Sequence, residues 1–461
     1  MPDQSSFLSR LAAHGDAVAV VTDGLAFGYG ELVRRVEARV AGLQSRGVGS
    51  GSVVGLELAD EVEHLIASLA LIAVGARHVT RPTHDPAEAK RALSERVRAT
   101  HVLTVDGVAA RDGVPSEASG AEGIVYLKTS GTTGGMNVIA FTATQLAEQA
   151  QRHPEYASER LLRLASIEHN NSKRHRLYCA LMGGTNVFRP SGEFDVAEFC
   201  ARHGVTCLDI SRMHASDLAA QGGIGRFDGV KLRTGGSAVP IDVRRAIEER
   251  VTPLLYVRYA STESGAIAMA GPGEHDEMES VGRPLPGVQL EIVDPDGNPL
   301  PAGETGRIRL RAPGVATGYL DGGEQTASRF RDGWFWPGDV GMLRADGSLV
   351  VQGRQDDMMI LNGINIFPGE IERVLERHPA VKVAAALPLN SVVHGQIPVA
   401  AVELVEAASV TATDLQRFAR EHLALRAPRR VIILPSLPRN SQGKILRREI
   451  ALAFEKGRRT T

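Results

Sequence analysis

Between Glu31 and Arg46 the apolar residues Leu32, Val33, Val36, Val40 and Leu43 fall near helical spacing. The turn Gly47-Val48-Gly49 then leads into Val53-Val54-Gly55-Leu56-Glu57-Leu58, an apolar run of strand length. The pattern repeats downstream, where Glu61 to Ala73 predicts a second helix and His101-Val102-Leu103-Thr104-Val105 another strand. Such alternation predicts an α/β fold with parallel sheets covered by helices, because each parallel crossover lays a helix on the sheet. The texture changes near Val281. Val288 to Val293 and Gly306 to Arg311 alternate with period two, and Asp296-Gly297 is a hairpin signal, so a small antiparallel barrel is expected. Asp346-Gly347 opens another hairpin side, Leu349-Val350-Val351, which ends at Gly353-Arg354. After Asp357 the pattern predicts a short strand, a helix from Pro368 to Arg377 and a compact α+β tail.

Composition narrows the class. The chain has 461 residues, and single cores stop growing near ~250–300 residues, so two or more folding units are expected. With 43% hydrophobic and 23% charged residues it has the make-up of a soluble globular protein. A net charge of -2 gives no electrostatic reason to expect nucleic acid or an anionic membrane as partner. Cys179, Cys200 and Cys207 lack Cys-x-x-Cys spacing and read as reduced thiols of a cytoplasmic protein. The amino terminus, with Asp3 and no apolar run, does not read as a signal peptide, and no apolar stretch is long enough for a membrane span.

The chemistry lies in five segments. Directly after the apolar run Ile124 to Leu127 and Lys128 stand Thr129-Ser130-Gly131-Thr132-Thr133-Gly134-Gly135. Glycines let backbone N–H groups approach an anion closely and hydroxyls add donors, so this is a candidate phosphate cradle; it is not a Walker A loop, since no Gly-Lys-Ser/Thr closes it. Then follow Tyr259-Ala260-Ser261-Thr262-Glu263, Gly333-Trp334-Phe335-Trp336-Pro337-Gly338-Asp339, Gly353-Arg354-Gln355-Asp356-Asp357 and Asn440-Ser441-Gln442-Gly443-Lys444. In this order and spacing the five resemble the adenylate-forming superfamily of acyl-CoA synthetases, adenylation domains and beetle luciferase. The resemblance covers nearly the whole chain, down to the opening Phe7 to Asp16 and Tyr29-Gly30-Glu31-Leu32.

The resemblance implies a large N-terminal domain, 1–355, of two helix-covered sheet subdomains plus a small β-barrel. A mobile α+β C-terminal lid, 356–461, would follow, with Asp356 at the hinge. It implies ATP and Mg²⁺ as cofactors. Thr129, Ser130, Gly131, Thr132, Thr133 and Gly134 would hold the β- and γ-phosphates, Thr262 the α-phosphate, and Glu263 the metal. Tyr259 would lie along the adenine, with Gly235, Gly236, Ser237 and Ala260 beside the base, while Asp339 and Arg354 bind the ribose. Lys444 would be the catalytic lysine, bridging α-phosphate and attacking carboxylate. By the same resemblance His169 is the gate of the acyl pocket, whose walls are Asn170, Lys173, Arg174, Asp209, Ser211, Gly235, Ala260, Ser264 and Gly265.

Three features depart from the family pattern, one of them Trp336-Pro337, which stands where smaller or hydroxyl residues are common. The usual loop lysine is replaced by Asn137, which offers hydrogen bonds without charge. The pocket helix begins Asn170-Asn171-Ser172-Lys173-Arg174-His175-Arg176, polar where apolar residues are usual. Burying unpaired cations costs several kcal/mol, so the ordinary expectation is a solvated helix face, and the other reading is a polar or doubly anionic substrate. The expected activity is adenylation of a small polar or aromatic carboxylic acid, with transfer to CoA or to a phosphopantetheinyl carrier protein in trans. The alternatives are transfer to an amine, activation of another oxyanion such as nitrite, or a degenerate nucleotide-binding protein.

Overall fold

The computed structural model describes residues 4–111, 122–130, 136–222, 227–361, 364–391, 395–439 and 445–456. Helix and strand alternate through the first half as the apolar pattern predicts, and they build two sheets. In the six-stranded sheet Val53–Leu56, Arg77–Thr80, His101–Thr104 and Ile124–Ser130 pair in parallel, with antiparallel Gly107–Ala110 and Met136–Thr142 at the edges. In the nine-stranded sheet Val18–Val21, Thr185–Val187, Arg160–Arg163, Cys207–Ser211, Lys231–Gly235 and Leu255–Ser261 run parallel. Ala26–Gly28 closes one edge antiparallel, Gly265–Ala270 and Arg283–Pro284 the other.

The helix Glu61–Ala73 starts where the Asp60 side chain accepts the Glu63 N–H at 2.8 Å. Its residues from His64 to Ala73 are all buried. A helix that is apolar on every side needs neighbours on every side, and this one shares a core with Leu177 to Leu181 of the helix Asn170–Met182. That second helix is buried from Ser172 to Leu181 despite its basic sequence. The helix expected from Glu31 to Arg46 is observed as Tyr29–Gln44, and the buried Tyr29 hydroxyl at its start donates to the Gly184 carbonyl at 2.7 Å.

The period-two segments form an antiparallel unit of Gln289–Val293, Thr305–Arg311, Phe330–Arg331, Trp334–Phe335, Asp339–Leu343 and Leu349–Arg354. Its inward residues Ile292, Ile308 and Leu349 pack on Ala268 of the nine-stranded sheet. Beyond it, Val381–Ser391, Gly395–Leu404 and Arg430–Ile433 make a three-stranded sheet accompanied by the helices Pro368–Glu376, Ala412–Leu423 and Arg447–Lys456. Ion pairs join this terminal unit to the preceding chain: Arg212 meets Glu376 at 2.7 Å and Arg373 meets Glu279 at 3.6 Å. No helix of the described residues is long and apolar enough to cross a membrane.

Candidate active site

Antiparallel pairing sets Asp339 directly opposite Arg354. The Arg354 guanidinium lies 3.5 Å from Asp339 Oδ1 and donates to the Pro337 carbonyl at 2.6 Å, while the Tyr259 hydroxyl donates to Asp339 Oδ2. Tyr259 stands on Leu255–Ser261 of the nine-stranded sheet, so three segments separated in sequence meet at one carboxylate. Asp339 is buried, and burial raises its carboxyl above the ordinary range while Arg354 pulls it back down. Burial and then the Asp339 charge push the Tyr259 phenol well up. Arg354 also reaches Asp356 at 3.2 Å, and Arg329 meets the same carboxylate at 3.0 Å.

Past the end of the Tyr259 strand, the Glu263 carboxylate accepts from the Tyr319 hydroxyl at 2.8 Å, and its backbone carbonyl accepts from the Ala316 N–H at 2.9 Å. Glu263 acts electrostatically on both Tyr259 and Asp339, so the two groups share one site. The carbonyls of Thr262 and Ser261 accept from Arg174 at 2.7 and 3.3 Å. Gly235 ends the adjacent strand, and a Cβ there would stand 2.4 Å from the Arg258 carbonyl; Gly236 turns the chain at φ +85°, with Ser237 exposed beside it. Ala260 is half-buried on the Tyr259 strand. Ser264 and Gly265 are buried inside the turn, the Ser264 N–H donating to Ser261 Oγ at 3.1 Å and its carbonyl accepting from Arg152.

Thr129 and Ser130 end the strand Ile124–Ser130, and Thr129 pairs with Asn137 across a hairpin. Gly131, Thr132, Thr133, Gly134 and Lys444 lie outside the described residues.

The expected solvated helix face is corrected by the structure: Lys173, Arg174, His175 and Arg176 are 1%, 5%, 3% and 0% exposed. Each has a partner from elsewhere in the chain. Arg176 pairs with Glu61 at 3.1 Å and lies over the Phe188 ring, and His175 shares a 2.6 Å hydrogen bond with the Tyr156 hydroxyl. Arg174 clamps Ser261 and Thr262, and Lys173 donates to Thr80 Oγ1 at 3.1 Å. His169 immediately precedes the helix, half-buried, with the His84 ring 5.7 Å away; burial, then His84, lowers its pKa. The Asn170 amide donates to the Lys128 carbonyl.

Two expected pocket walls are engaged otherwise. Asp209 is 2% exposed and bonded to Arg163 at 2.5 Å and Arg258 at 3.1 Å. Burial pushes its carboxyl up, but these guanidiniums overcome that and hold it below the ordinary value. Ser211 caps the helix Arg212–Gln221, its Oγ accepting the His214 N–H at 3.3 Å. Sequence reading missed Tyr319, Arg152 and Glu168, which binds the Thr83 N–H at 2.6 Å. None stands in a residue pattern that announces chemistry, and only the packed chain reveals their partners.

Two helix-covered sheets, an antiparallel unit whose Asp339–Arg354 pair meets Tyr259 of the nine-stranded sheet, and a terminal α+β unit are the parts of an adenylate-forming enzyme. The family model of the AMP-binding enzymes matches residues 7–128 and 112–320, and that of the AMP-binding enzyme C-terminal domain matches 370–444. The chain belongs to the AMP-binding enzyme family. It is 30% identical to the 2-succinylbenzoate–CoA ligase of Geobacillus kaustophilus across 94% of both chains. It is also 30% identical to the sulfoacetate–CoA ligase of Cupriavidus necator, over 70% of this chain and 65% of that one. Among solved structures, the amide bond synthetase McbA from Marinactinospora thermotolerans superposes with a TM-score of 0.82 at 26% identity, covering 98% of this chain and 100% of that one.

Proposed function

We propose that this enzyme activates a small carboxylic acid bearing a second acid group and passes the acyl group to CoA. The observation that carries the reading is the convergence of Asp339, Arg354 and Tyr259 with Glu263, beside a pocket helix whose cations are all buried. By their names, the two ligases similar to this chain act on acids with a second acid group: a second carboxylate in succinylbenzoate and a sulfonate in sulfoacetate.

A carboxylate is a poor acyl donor because its leaving group would be an oxide. In the proposed reaction the substrate carboxylate attacks the α-phosphorus of ATP, the bond to the bridging oxygen breaks, and pyrophosphate leaves. The acyl adenylate then yields its acyl group to the CoA thiol, and AMP departs. Charge spreads over the phosphoryl oxygens in the first step and must meet donors already in place. Asp339 holds the ribose hydroxyls, which can use its loosely engaged Oδ1, and Arg354 adds a donor. Thr262 meets the α-phosphate. Arg174 fixes the Thr262 turn by its two carbonyl bonds, so Thr262 need not reorganise during reaction.

Glu263 fits Mg²⁺. One carboxylate oxygen is held by Tyr319, and among the described residues no partner occupies the other; Mg²⁺ is commonly bound through one or two carboxylates, with waters and phosphates completing the shell. When bound, the ion would offset the growing charge on the phosphates. We further assign Asp356 as the boundary between a large unit, 1–355, and the terminal lid, and place the enzyme in the cytoplasm, where ATP and CoA are supplied.

Pyrophosphate exchange with ATP across a panel of mono- and diacids tests the reading, followed by trapping of the active acid with CoA or with amines. Exchange with no acid, in a protein that still binds ATP, would overturn it. The likeness to the amide bond synthetase favours a second reading in which an amine takes the acyl group, and the trapping step decides between them. A substitution probes the cradle. Asn137→Lys is expected to tighten ATP and pyrophosphate binding by several-fold, since it restores a cation beside the strand end at Thr129. Titration calorimetry measures it, and unchanged affinity for both ligands would show that Asn137 does not face the polyphosphate.

A further inference from the structure

A second polar cluster lies inside the molecule, away from the nucleotide groups. His78 and Thr80 point to the same face of the strand Arg77–Thr80, since alternate residues share a face, while Val79 packs in a separate apolar cluster on the other. Over that face the helix Glu61–Ala73 brings His64, whose Nε2 is 3.3 Å from Thr80 Oγ1 and whose Nδ1 is 2.9 Å from the Leu58 carbonyl. From the pocket helix Lys173 reaches the same hydroxyl at 3.1 Å. Lys173, His64 and His78 are 1% exposed or less.

The hydrogen-bond account of this cluster does not close. An ammonium has three donors, and only one contact is made by Lys173 among the described residues. Among the described residues, neither ring nitrogen of His78 has a partner. The charge account is also open: the groups that act on one another here are Lys173, His64 and His78, with no carboxylate among them. Glu61 and Glu168, the acids on the flanking segments, are spent on Arg176 and on Thr83. A buried cation without counter-ion, beside unpaired donors, is costly unless an anion completes it.

The Lys173 N–H bonds the His169 carbonyl at 2.9 Å, so the two residues stand one turn apart on one helix face, about 5–6 Å between side-chain roots. The cluster thus lies one turn deeper than the His84–His169 ring pair.

We propose that Lys173 and His78, with Thr80 and His64 holding Lys173 in place, form a buried receptor for a small acid group, and that its occupant is the distal acid group of the substrate. This rests on the reading of the neighbouring site as acid-activating. The receptor selects acids whose second group is separated from the activated carboxylate by a few carbon atoms.

The test has two arms on the full chain. In the first, pyrophosphate exchange is measured for matched monoacids, dicarboxylates and sulfocarboxylates with wild type and Lys173→Met. The diacid-to-monoacid ratio of kcat/KM is expected to fall about tenfold or more, because a site built around a charged group rejects its absence or mismatch steeply. In the second, thermal unfolding is followed without nucleotide as inorganic phosphate or chloride is added at constant ionic strength. Saturable stabilisation of wild type and not of the variant, with an unchanged acid ratio, upholds the receptor and makes a free inorganic anion its occupant. An unchanged ratio with no anion stabilisation overturns the proposal. If no acid supports exchange even in wild type, the acid-activating reading has failed while the second arm still decides the receptor. Should Lys173→Met fail to fold, His78→Phe serves in both arms.

Discussion

Alanine in place of Lys444 is expected to slow adenylate formation about a hundredfold to a thousandfold, ~3–4 kcal/mol of transition-state stabilisation, the scale of deleting one positioned donor. ATP binding should be largely retained, because Asp339, Arg354 and Tyr259 already stand together on the preceding units without any help from the carboxy-terminal segment. A lysine suits the proposed role because its charge sits on a flexible stem and can follow the developing negative charge between carboxylate and α-phosphate. ATP titration set against single-turnover adenylate formation separates the two effects. A variant that forms adenylate at the wild-type rate would remove Lys444 from the chemistry.

Stability should respond as strongly at the pocket helix. Burial lowers the Lys173 ammonium from 10.5 to about 7. The unfolded chain keeps this proton up to the ordinary value, whereas the folded chain releases it above about 7, so between those pH values the unfolded state binds more protons. Stability therefore rises with pH across that window. Below it both states are protonated and the cost of the buried charge is complete; above it the cost has gone. The shift corresponds to on the order of 5 kcal/mol. Lys173→Met keeps the length of the side chain and removes the charge, so in buffer of minimal anion content the variant should be the more stable protein at and below neutral pH. Its advantage should shrink as pH is raised. Denaturant unfolding of both proteins across the window measures this, and background titrations cancel in the comparison. Parallel stability curves for the two proteins would mean that Lys173 does not carry a depressed pKa.

The same helix marks the limit of what could be read in advance. Asn170 to Arg176 has no apolar stripe at its start, and a polar helix segment normally faces water. Its burial is arranged by groups far away in the chain: Thr80 lies 93 residues from Lys173, the Thr262 carbonyl 88 from Arg174, and Glu61 115 from Arg176. No local window contains those partners. The engagement of Asp209 is equally non-local, since it rests on Arg163 of the adjacent strand and Arg258 two strands away. Tyr319 was missed because a single aromatic in a loop carries no pattern until its hydroxyl is seen at Glu263.

By itself the sequence determined the elements and the chemical inventory. Helical spacing marked Glu61–Ala73 to the residue, period-two alternation marked the antiparallel unit, and ordered motifs named Tyr259, Glu263, Asp339 and Arg354. These signals are local, because spacing within one turn or one pleat sets which side a residue faces. The tertiary structure decided which residues share a site and which cations lie in the interior. It moved Val18–Val21 from the start of the chain to pair with Thr185–Val187 in the second sheet, and it gathered Lys173, Thr80, His64 and His78 on one buried face. Those outcomes depend on the sum of packing and desolvation over the whole molecule, in which each buried charge is tolerated only where distant segments bring it partners.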